Sequence, residues 1–133
     1  MKIKIYADGA NKKDILYYNK QTEIAGLTTN PSLMRKSGVK NYKEFSIEIL
    51  KKVVKKPISF EVFADEFRQM NKLSKIISSW ANNVYVKIPI TNTKGKSCKN
   101  LIKKLSDEGI NLNITAIFTK TQIDTVFKNL NKK

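Results

Sequence analysis

The chain has 133 residues, enough for one small domain with a hydrophobic core, and 41% of them are hydrophobic, which excludes a disordered composition. Its net charge of +15 rests on 26 basic residues, of which two, Arg35 and Arg68, are arginine. Arginine is the usual residue for reading bases and gripping phosphates. We therefore expect a lysine-rich solvated surface and no nucleic-acid partner, and a basic nucleic-acid-binding module is the least favoured alternative.

The length of the apolar runs, the N-terminal sequence and the cysteine content predict the cellular location of the protein. No apolar run approaches the roughly 18 residues of a membrane span, and MKIKIYADGA has no apolar stretch long enough for a secretory signal. The single cysteine, Cys98, excludes an intramolecular disulfide framework and fits a reducing compartment. We expect no membrane partner and a cytoplasmic location.

Hydrophobic periodicity predicts five strands, each followed by a helix. In chain order, the predicted strands are MKIKIYAD, EIAGLTTN, ISFEVFA, VYVKIPI and GINLNITAIF. The predicted helices cover residues 11–19, 42–55, 65–82, 96–108 and 119–130. Pro31 is expected in the first turn of a helix after the second strand. Pro57 is expected to end the helix over 42–55, and Gly109 the helix over 96–108.

This alternation predicts an α/β fold with parallel strands joined by right-handed crossovers, in a single domain over residues 1–133. An open doubly wound sheet and a barrel both fit the pattern. No Gly-rich phosphate loop follows the first strand, which weakens a dinucleotide-binding interpretation. A complete eight-stranded barrel takes about 250 residues, so this chain would hold five of its eight βα units.

Polar residues cluster where the predicted strands end, which is where α/β folds place their chemistry. The candidates are Asp8, Thr28, Thr29, Asn30, Glu61, Lys87, Asn111, Asn113 and Thr115. Structural alternatives exist for several of them: Asp8 could cap the next helix, and Thr28 to Pro31 could form a turn and cap. Glu61 could form a structural ion pair with Lys87.

Lys87 is the most informative candidate, because it lies in the middle of a predicted buried strand, VYVKIPI. Lysine is almost never fully buried unless it is paired or functional. Burial disfavours the charged form of an amine, and a neutral amine can attack a carbonyl carbon. The residues alone therefore favour Schiff-base chemistry, with nearby carboxylates moving protons.

Five motifs carry a resemblance to a known family, in family order and over essentially the whole chain. They are YADGA, GLTTNPSLM, ISFEVFAD, VYVKIPIT and GINLNITAIFT. The chain resembles the transaldolase family, including its small members and its fructose-6-phosphate aldolase-like relatives. The resemblance implies a (β/α)8 TIM barrel, here its first five βα units. It also implies Schiff-base transfer of a dihydroxyacetone unit from a ketose phosphate to an aldose phosphate, as in the pentose phosphate pathway.

The resemblance also implies a role for each candidate residue. Lys87 corresponds to the Schiff-base lysine, Asp8 to the carboxylate that handles the hydroxyl proton during carbon–carbon cleavage, and Glu61 to an acid/base group that works through a water. Thr115 corresponds to a threonine that helps to hold this water. The positions that contact the bound ketose are Asn30, Asn113 and, as a lesser member, Thr28. No cofactor and no metal ion are implied.

The glutamate at position 61 favours a transaldolase over an aldolase-like lyase, whose members tend to have glutamine there. Nothing in the chain matches the family's later serine–aromatic–glycine–arginine segment, whose arginine grips the substrate phosphate. An alternative interpretation is therefore a truncated, catalytically impaired partial barrel. It would be completed by another chain or, as a homo-oligomer, by a copy of itself.

Overall fold

The structure, a computed structural model, describes residues 3–9 and 11–131. Parts of the predicted first strand and of the YADGA motif, namely Met1, Lys2 and Ala10, lie outside the described residues. Strands alternate with helices along the chain. The elements are β1 (Ile5–Gly9), α1 (Lys12–Lys20), β2 (Ile24–Thr29), α2 (Pro31–Lys36), α3 (Tyr42–Leu50), β3 (Ile58–Glu61), α4 (Phe67–Ser78), β4 (Val84–Pro89), α5 (Lys99–Asp107), β5 (Leu112–Thr115) and α6 (Lys120–Asn129).

The chain divides into two compact units. The first compact unit holds Met1–Glu61 and Trp80–Val84, and the second holds Val62–Ser79 and Tyr85–Lys133. The prediction of one domain over residues 1–133 stays a prediction.

Three parallel strands organise the first compact unit, in the order β1-β2-β3. In this register Thr28 pairs with Asp8 on one side and with Ser59 on the other. Helix α1 packs against β1, β2 and α3. The buried residues of this unit include Ala7, Ile15, Leu27, Met34, Ile49, Val53, Ile58 and Phe60.

Two parallel strands, β4 and β5, organise the second compact unit. Lys87 pairs with Asn113, and Pro89 pairs with Thr115. Helix α5 packs against β5, α4 and α6. The buried residues of this unit include Met70, Ile77, Val86, Ile88, Ile102 and Leu105.

Parallel strands that follow one another in chain order, each succeeded by a helix, confirm the predicted fold class of (β/α)-barrel units. A doubly wound sheet would reverse its strand order, and neither compact unit contains such a reversal. Strand β1 is buried on one face. Ala7 and Gly9 are buried while Tyr6 and Asp8 are exposed, as expected when helices cover one side of the strand.

Four of the five predicted helices are longer than the helices observed; those predicted over 96–108 and 119–130 cover Lys99–Asp107 and Lys120–Asn129. The helix predicted over 42–55 ends at Leu50, before Pro57, where the chain tightens into a turn in which the Lys52 N–H donates to the Ile49 carbonyl. The helix predicted over 65–82 covers Phe67–Ser78. Asp65 is held outside it, since its carboxylate accepts a hydrogen bond from the Thr93 N–H and its carbonyl accepts one from the Asn92 side chain. The third and fifth strands are likewise shorter than predicted.

Among the helices of the described residues, none is both long enough and apolar enough to cross a membrane.

Candidate functional site

A row of polar side chains crosses β1, β2 and β3 in the first compact unit. Asp8, Thr28 and Ser59 are register partners on adjacent parallel strands, so their side chains leave the same face about 5 Å apart from one strand to the next. The Glu61 side chain projects from the same face of β3 as that of Ser59, two residues closer to the carboxyl end of the strand. The structure therefore brings three predicted site residues, Asp8, Thr28 and Glu61, onto one face.

Asp8 is not a helix cap in this unit, so that alternative is wrong. The N-cap of α1 is Asn11, whose side-chain oxygen accepts a hydrogen bond from the Asp14 N–H at 3.0 Å. Asp8 is exposed. Its carboxylate is therefore placed where a ligand can reach it.

Asn30 does cap a helix. Its amide oxygen accepts hydrogen bonds from the Ser32 and Leu33 N–H groups at 3.0 and 3.2 Å, which starts α2 with Pro31 in its first turn. Within the described part of the chain, the amide nitrogen of Asn30 donates no hydrogen bond, so it can donate to a ligand. The Thr28 hydroxyl oxygen, on the face shared with Asp8, is buried without a hydrogen-bond partner among these residues.

Glu61 is the half-buried last residue of β3, and its backbone is held by a tyrosine side chain. The Glu61 N–H donates to the Tyr42 hydroxyl oxygen at 2.9 Å, and the Tyr42 hydroxyl lies 3.4 Å from the Glu61 carbonyl oxygen. The Thr29 hydroxyl donates to the Ser59 carbonyl at 2.9 Å. The end of β3 is thus fixed by side chains of β2 and α3.

The second compact unit carries the remaining predicted site residues on β4 and β5. Lys87 and Asn113 are register partners, and Thr115 leaves the same face of β5 two residues after Asn113. Adjacent strands lie about 5 Å apart, so Asn113 is the neighbour of Lys87 on β5, and Thr115 lies two residues closer to the carboxyl end of that strand. This grouping of a nucleophile with hydrogen-bonding groups suits chemistry at a carbonyl carbon.

The prediction that Lys87 is buried is wrong, because its side chain is half-buried. Helices cover one face of β4, where Val86 and Ile88 are completely buried, whereas Lys87 and Pro89 lie on the opposite face. Because side chains alternate between the two faces of a strand, Lys87 lies on the face opposite to Val86 and Ile88 and is half-buried.

The Cys98 thiol, another potential nucleophile of this unit, is buried at the N-cap of α5. Burial, together with the negative charge of Asp65, raises the pKa of Cys98 to about 11. The thiol is therefore protonated at neutral pH and is a poor nucleophile. No group of three His, Cys, Asp or Glu side chains in the described ranges could hold a metal ion.

The loop after β4 is tied to the segment before α4. The Asn92 amide oxygen accepts from the Lys94 and Lys96 N–H groups at 3.1 and 2.9 Å, and Asp65 accepts from the Thr93 N–H at 2.7 Å. Lys94 forms an exposed ion pair with Glu66 at 2.8 Å. These bonds shape the loop that follows the Lys87 strand.

We expect the Asp65–Thr93 bond to make stability depend on pH. Hydrogen bonds from Thr93 hold the pKa of Asp65 below its ordinary value of 3.8. This contribution is complete above the unfolded-state pKa and is lost as the pH falls below 3.8 through the folded-state pKa. Asp65→Asn should therefore lower the midpoint of urea unfolding at pH 7, and this difference from the parent should shrink at pH 3.

Asp124→Asn on α6 is the matched control, because it also removes one negative charge. An Asp65→Asn effect no larger than that of Asp124→Asn at pH 7 would contradict the expectation.

Two residues at the site were not among the sequence candidates. Ser59 stands two positions before Glu61, which places both side chains on the same face of a strand. The two-residue period of a strand could therefore have indicated Ser59 as a site residue. No pattern in the sequence indicated Tyr42 as a site residue, because a tyrosine in the first turn of an amphipathic helix is expected to pack against the core.

Comparison with known proteins gives one family match. Residues 5–132 match the family model described as Transaldolase/Fructose-6-phosphate aldolase. A relative from Nitrosopumilus maritimus called "Probable transaldolase" is 37% identical over 120 residues, which cover 90% of this chain and 51% of the relative. Relatives of the same name from Brucella anthropi and Bartonella henselae are 38% and 36% identical over 90% of this chain, and 52% and 53% of their own lengths. The chain thus spans about half the length of these curated relatives.

Proposed function

Since the chain belongs to the transaldolase/fructose-6-phosphate aldolase family, we propose that it forms a Schiff base with a ketose phosphate and transfers a dihydroxyacetone unit to an aldose phosphate. The observation that carries the proposal is the placement of Lys87 beside Asn113, with Thr115 on the same face of the β4–β5 pair. The proposal includes sugar phosphates as substrates, the pentose phosphate pathway and a cytoplasmic location.

The chemistry begins at the Lys87 amine. It attacks the ketose carbonyl carbon to form a carbinolamine. An acid then protonates the carbinolamine hydroxyl group, and loss of water gives a protonated Schiff base. The positive nitrogen accepts the electron pair of the breaking carbon–carbon bond. At the same time Asp8 takes the proton of the hydroxyl group on the carbon that becomes the aldehyde of the aldose product. The aldose product leaves, and the three-carbon unit remains on Lys87 as an enamine that can attack the acceptor aldehyde.

Glu61 and the hydrogen-bonding residues serve the proton transfers in this scheme. Glu61 acts as the acid/base group through a water, which Thr115 helps to hold. Asn30, through its amide nitrogen, and Asn113 bind the ketose hydroxyl groups, with Thr28 as a lesser contact. The Thr28 hydroxyl, which has no hydrogen-bond partner among residues 3–9 and 11–131, and the exposed Asp8 carboxylate support this assignment, since both present hydrogen-bonding capacity on one face.

An aldolase-like lyase would share the Schiff base and differ in the fate of the three-carbon unit. The carboxylate of Glu61 favours transfer in this proposal, as the lyase-like members tend to have the uncharged amide. A lyase would release free dihydroxyacetone, whereas a transaldolase requires the acceptor aldose for turnover. The proposal is made for this chain alone, although it spans about half the length of its curated relatives. Completion by another chain or by a second copy is the alternative.

Borohydride trapping tests the proposal directly. The protein is incubated with fructose 6-phosphate and sodium borohydride, and its intact mass and peptide map are measured. We expect one added three-carbon dihydroxyacetone-derived or six-carbon ketose-derived group, located on Lys87. An unchanged mass at millimolar substrate would refute catalysis by this chain alone. Sedimentation measured in parallel would show whether any active species is a monomer or an oligomer.

A further inference from the structure

The Tyr42 side chain is connected to the end of β3 by several hydrogen bonds. Its hydroxyl oxygen accepts the Glu61 N–H at 2.9 Å and lies 3.4 Å from the Glu61 carbonyl oxygen. It is also hydrogen-bonded to the Thr29 side chain. The Thr29 hydroxyl in turn donates to the Ser59 carbonyl. One phenol therefore links the last residue of β2 to the last residue of β3.

The Glu61 N–H needs such a partner because β2 has already ended beside it. Backbone N–H groups alternate between the two edges of a strand, and the Ile58 N–H donates to the Asn83 carbonyl on one edge. Glu61, three residues later, presents its N–H to the opposite edge, where β2 lies. Beyond Thr29 the chain turns into α2 at Asn30, so the Tyr42 hydroxyl replaces a strand carbonyl.

The direction of the Tyr42 ring is fixed by aromatic packing. Its ring centroid lies 6.1 Å from that of Phe60 at an interplanar angle of 82°, and 6.2 Å from that of Trp80 at 60°. The Phe60 and Trp80 centroids are 5.6 Å apart. The Tyr42–Phe60 and Phe60–Trp80 pairs are edge-to-face, an arrangement that is favourable at these distances, and the Tyr42–Trp80 pair is tilted. Packing against the Phe60 and Trp80 rings thus directs the Tyr42 hydroxyl group towards β3.

The Tyr42 hydroxyl is protonated throughout the physiological range. Burial raises the pKa of Tyr42 to about 12, partly offset by its hydrogen bonds to Thr29 and to the Glu61 backbone, while the nearby charge of Glu61 raises it further. A phenol with this pKa does not ionise near neutral pH. Its contribution at the site is therefore to donate and accept fixed hydrogen bonds.

We propose that Tyr42 is a positioning residue for Glu61, holding the end of β3 so that the Glu61 carboxylate keeps one orientation on the site face. The inference rests on the proposed function for its catalytic consequence, because Glu61 is the acid/base group there. The hydrogen bonds and ring contacts that position Glu61 lie within the first compact unit, since all residues that form them belong to that unit.

Tyr42→Phe tests this inference, because it removes the hydroxyl and keeps the ring against Phe60 and Trp80. We expect Glu61 amide hydrogen exchange, measured by NMR, to become about tenfold faster, as one hydrogen bond is lost. The control is Tyr17→Phe on the exposed side of α1, which should leave this exchange unchanged. Equal Glu61 exchange in the parent and in Tyr42→Phe would overturn the inference.

A double-mutant cycle separates positioning from general structural support. The rate of borohydride-trapped adduct formation is measured in the parent, Tyr42→Phe, Glu61→Gln and the double variant. We expect Tyr42→Phe to slow trapping about tenfold in the parent and to have no effect in the Glu61→Gln background. An equal loss in both backgrounds would overturn the inference. If the parent forms no adduct, the proposed function fails, and the amide exchange still decides whether Tyr42 holds Glu61.

Discussion

Replacing Lys87 with methionine should abolish the borohydride-trapped adduct and lower any transfer activity by at least about 10³-fold. The methionine side chain matches the lysine stem as far as Cε but has no amine, so no Schiff base can form at this position. Lys87 is half-buried on β4, and the buried residues on the other face of the strand are unaffected by the change. The expected loss is therefore chemical. Intact mass after trapping and a coupled assay of transfer to an aldose phosphate both measure it.

Two further variants make the Lys87 result specific. Lys87→Arg keeps the positive charge but supplies no neutral amine, so it should behave like Lys87→Met. Lys104→Met removes an exposed lysine of α5 and should trap like the parent protein. An adduct that persists in Lys87→Met, carried by another lysine, would refute the assignment of the nucleophile even if the chain is active.

Replacing Phe60 with alanine should lower the free energy of unfolding by about 3–5 kcal/mol. Phe60 is 0% exposed, and its ring packs against those of Tyr42 and Trp80. Truncation leaves a cavity in addition to the loss of buried apolar area. Because domains of this size are stable by about 5–15 kcal/mol, the change removes a large share of the total. Urea unfolding followed by circular dichroism gives the difference.

Phe118→Ala is the matched control for Phe60→Ala. Phe118 is 88% exposed, so its truncation should change the free energy of unfolding by less than about 0.5 kcal/mol. Similar unfolding midpoints for the two variants would contradict the packing observed around Phe60. Since Phe60 precedes Glu61 and supports the Tyr42 ring, Phe60→Ala should also slow adduct trapping under conditions where the variant remains folded.

The sequence anticipated the order of the elements because that information is local. Val86 and Ile88 alternate with Lys87 at the period of a strand, and Leu101, Ile102 and Leu105 recur at the period of a helix. The ends of the elements were less predictable. The helix predicted from Asp65 begins at Phe67, since hydrogen bonds from Asn92 and Thr93, distant in sequence, hold Asp65 outside it.

The sequence by itself determined the succession of strands and helices, the family, and the candidate residues at the strand ends. The tertiary structure alone decided which of them are neighbours: Asp8 beside Thr28, Lys87 beside Asn113, and Tyr42 beneath Glu61. It also decided that Lys87 is half-buried, since burial depends on which face of β4 the helices cover. The physical reason is that periodicity is set by adjacent residues, whereas register and coverage are set by pairing and packing between residues far apart in the chain.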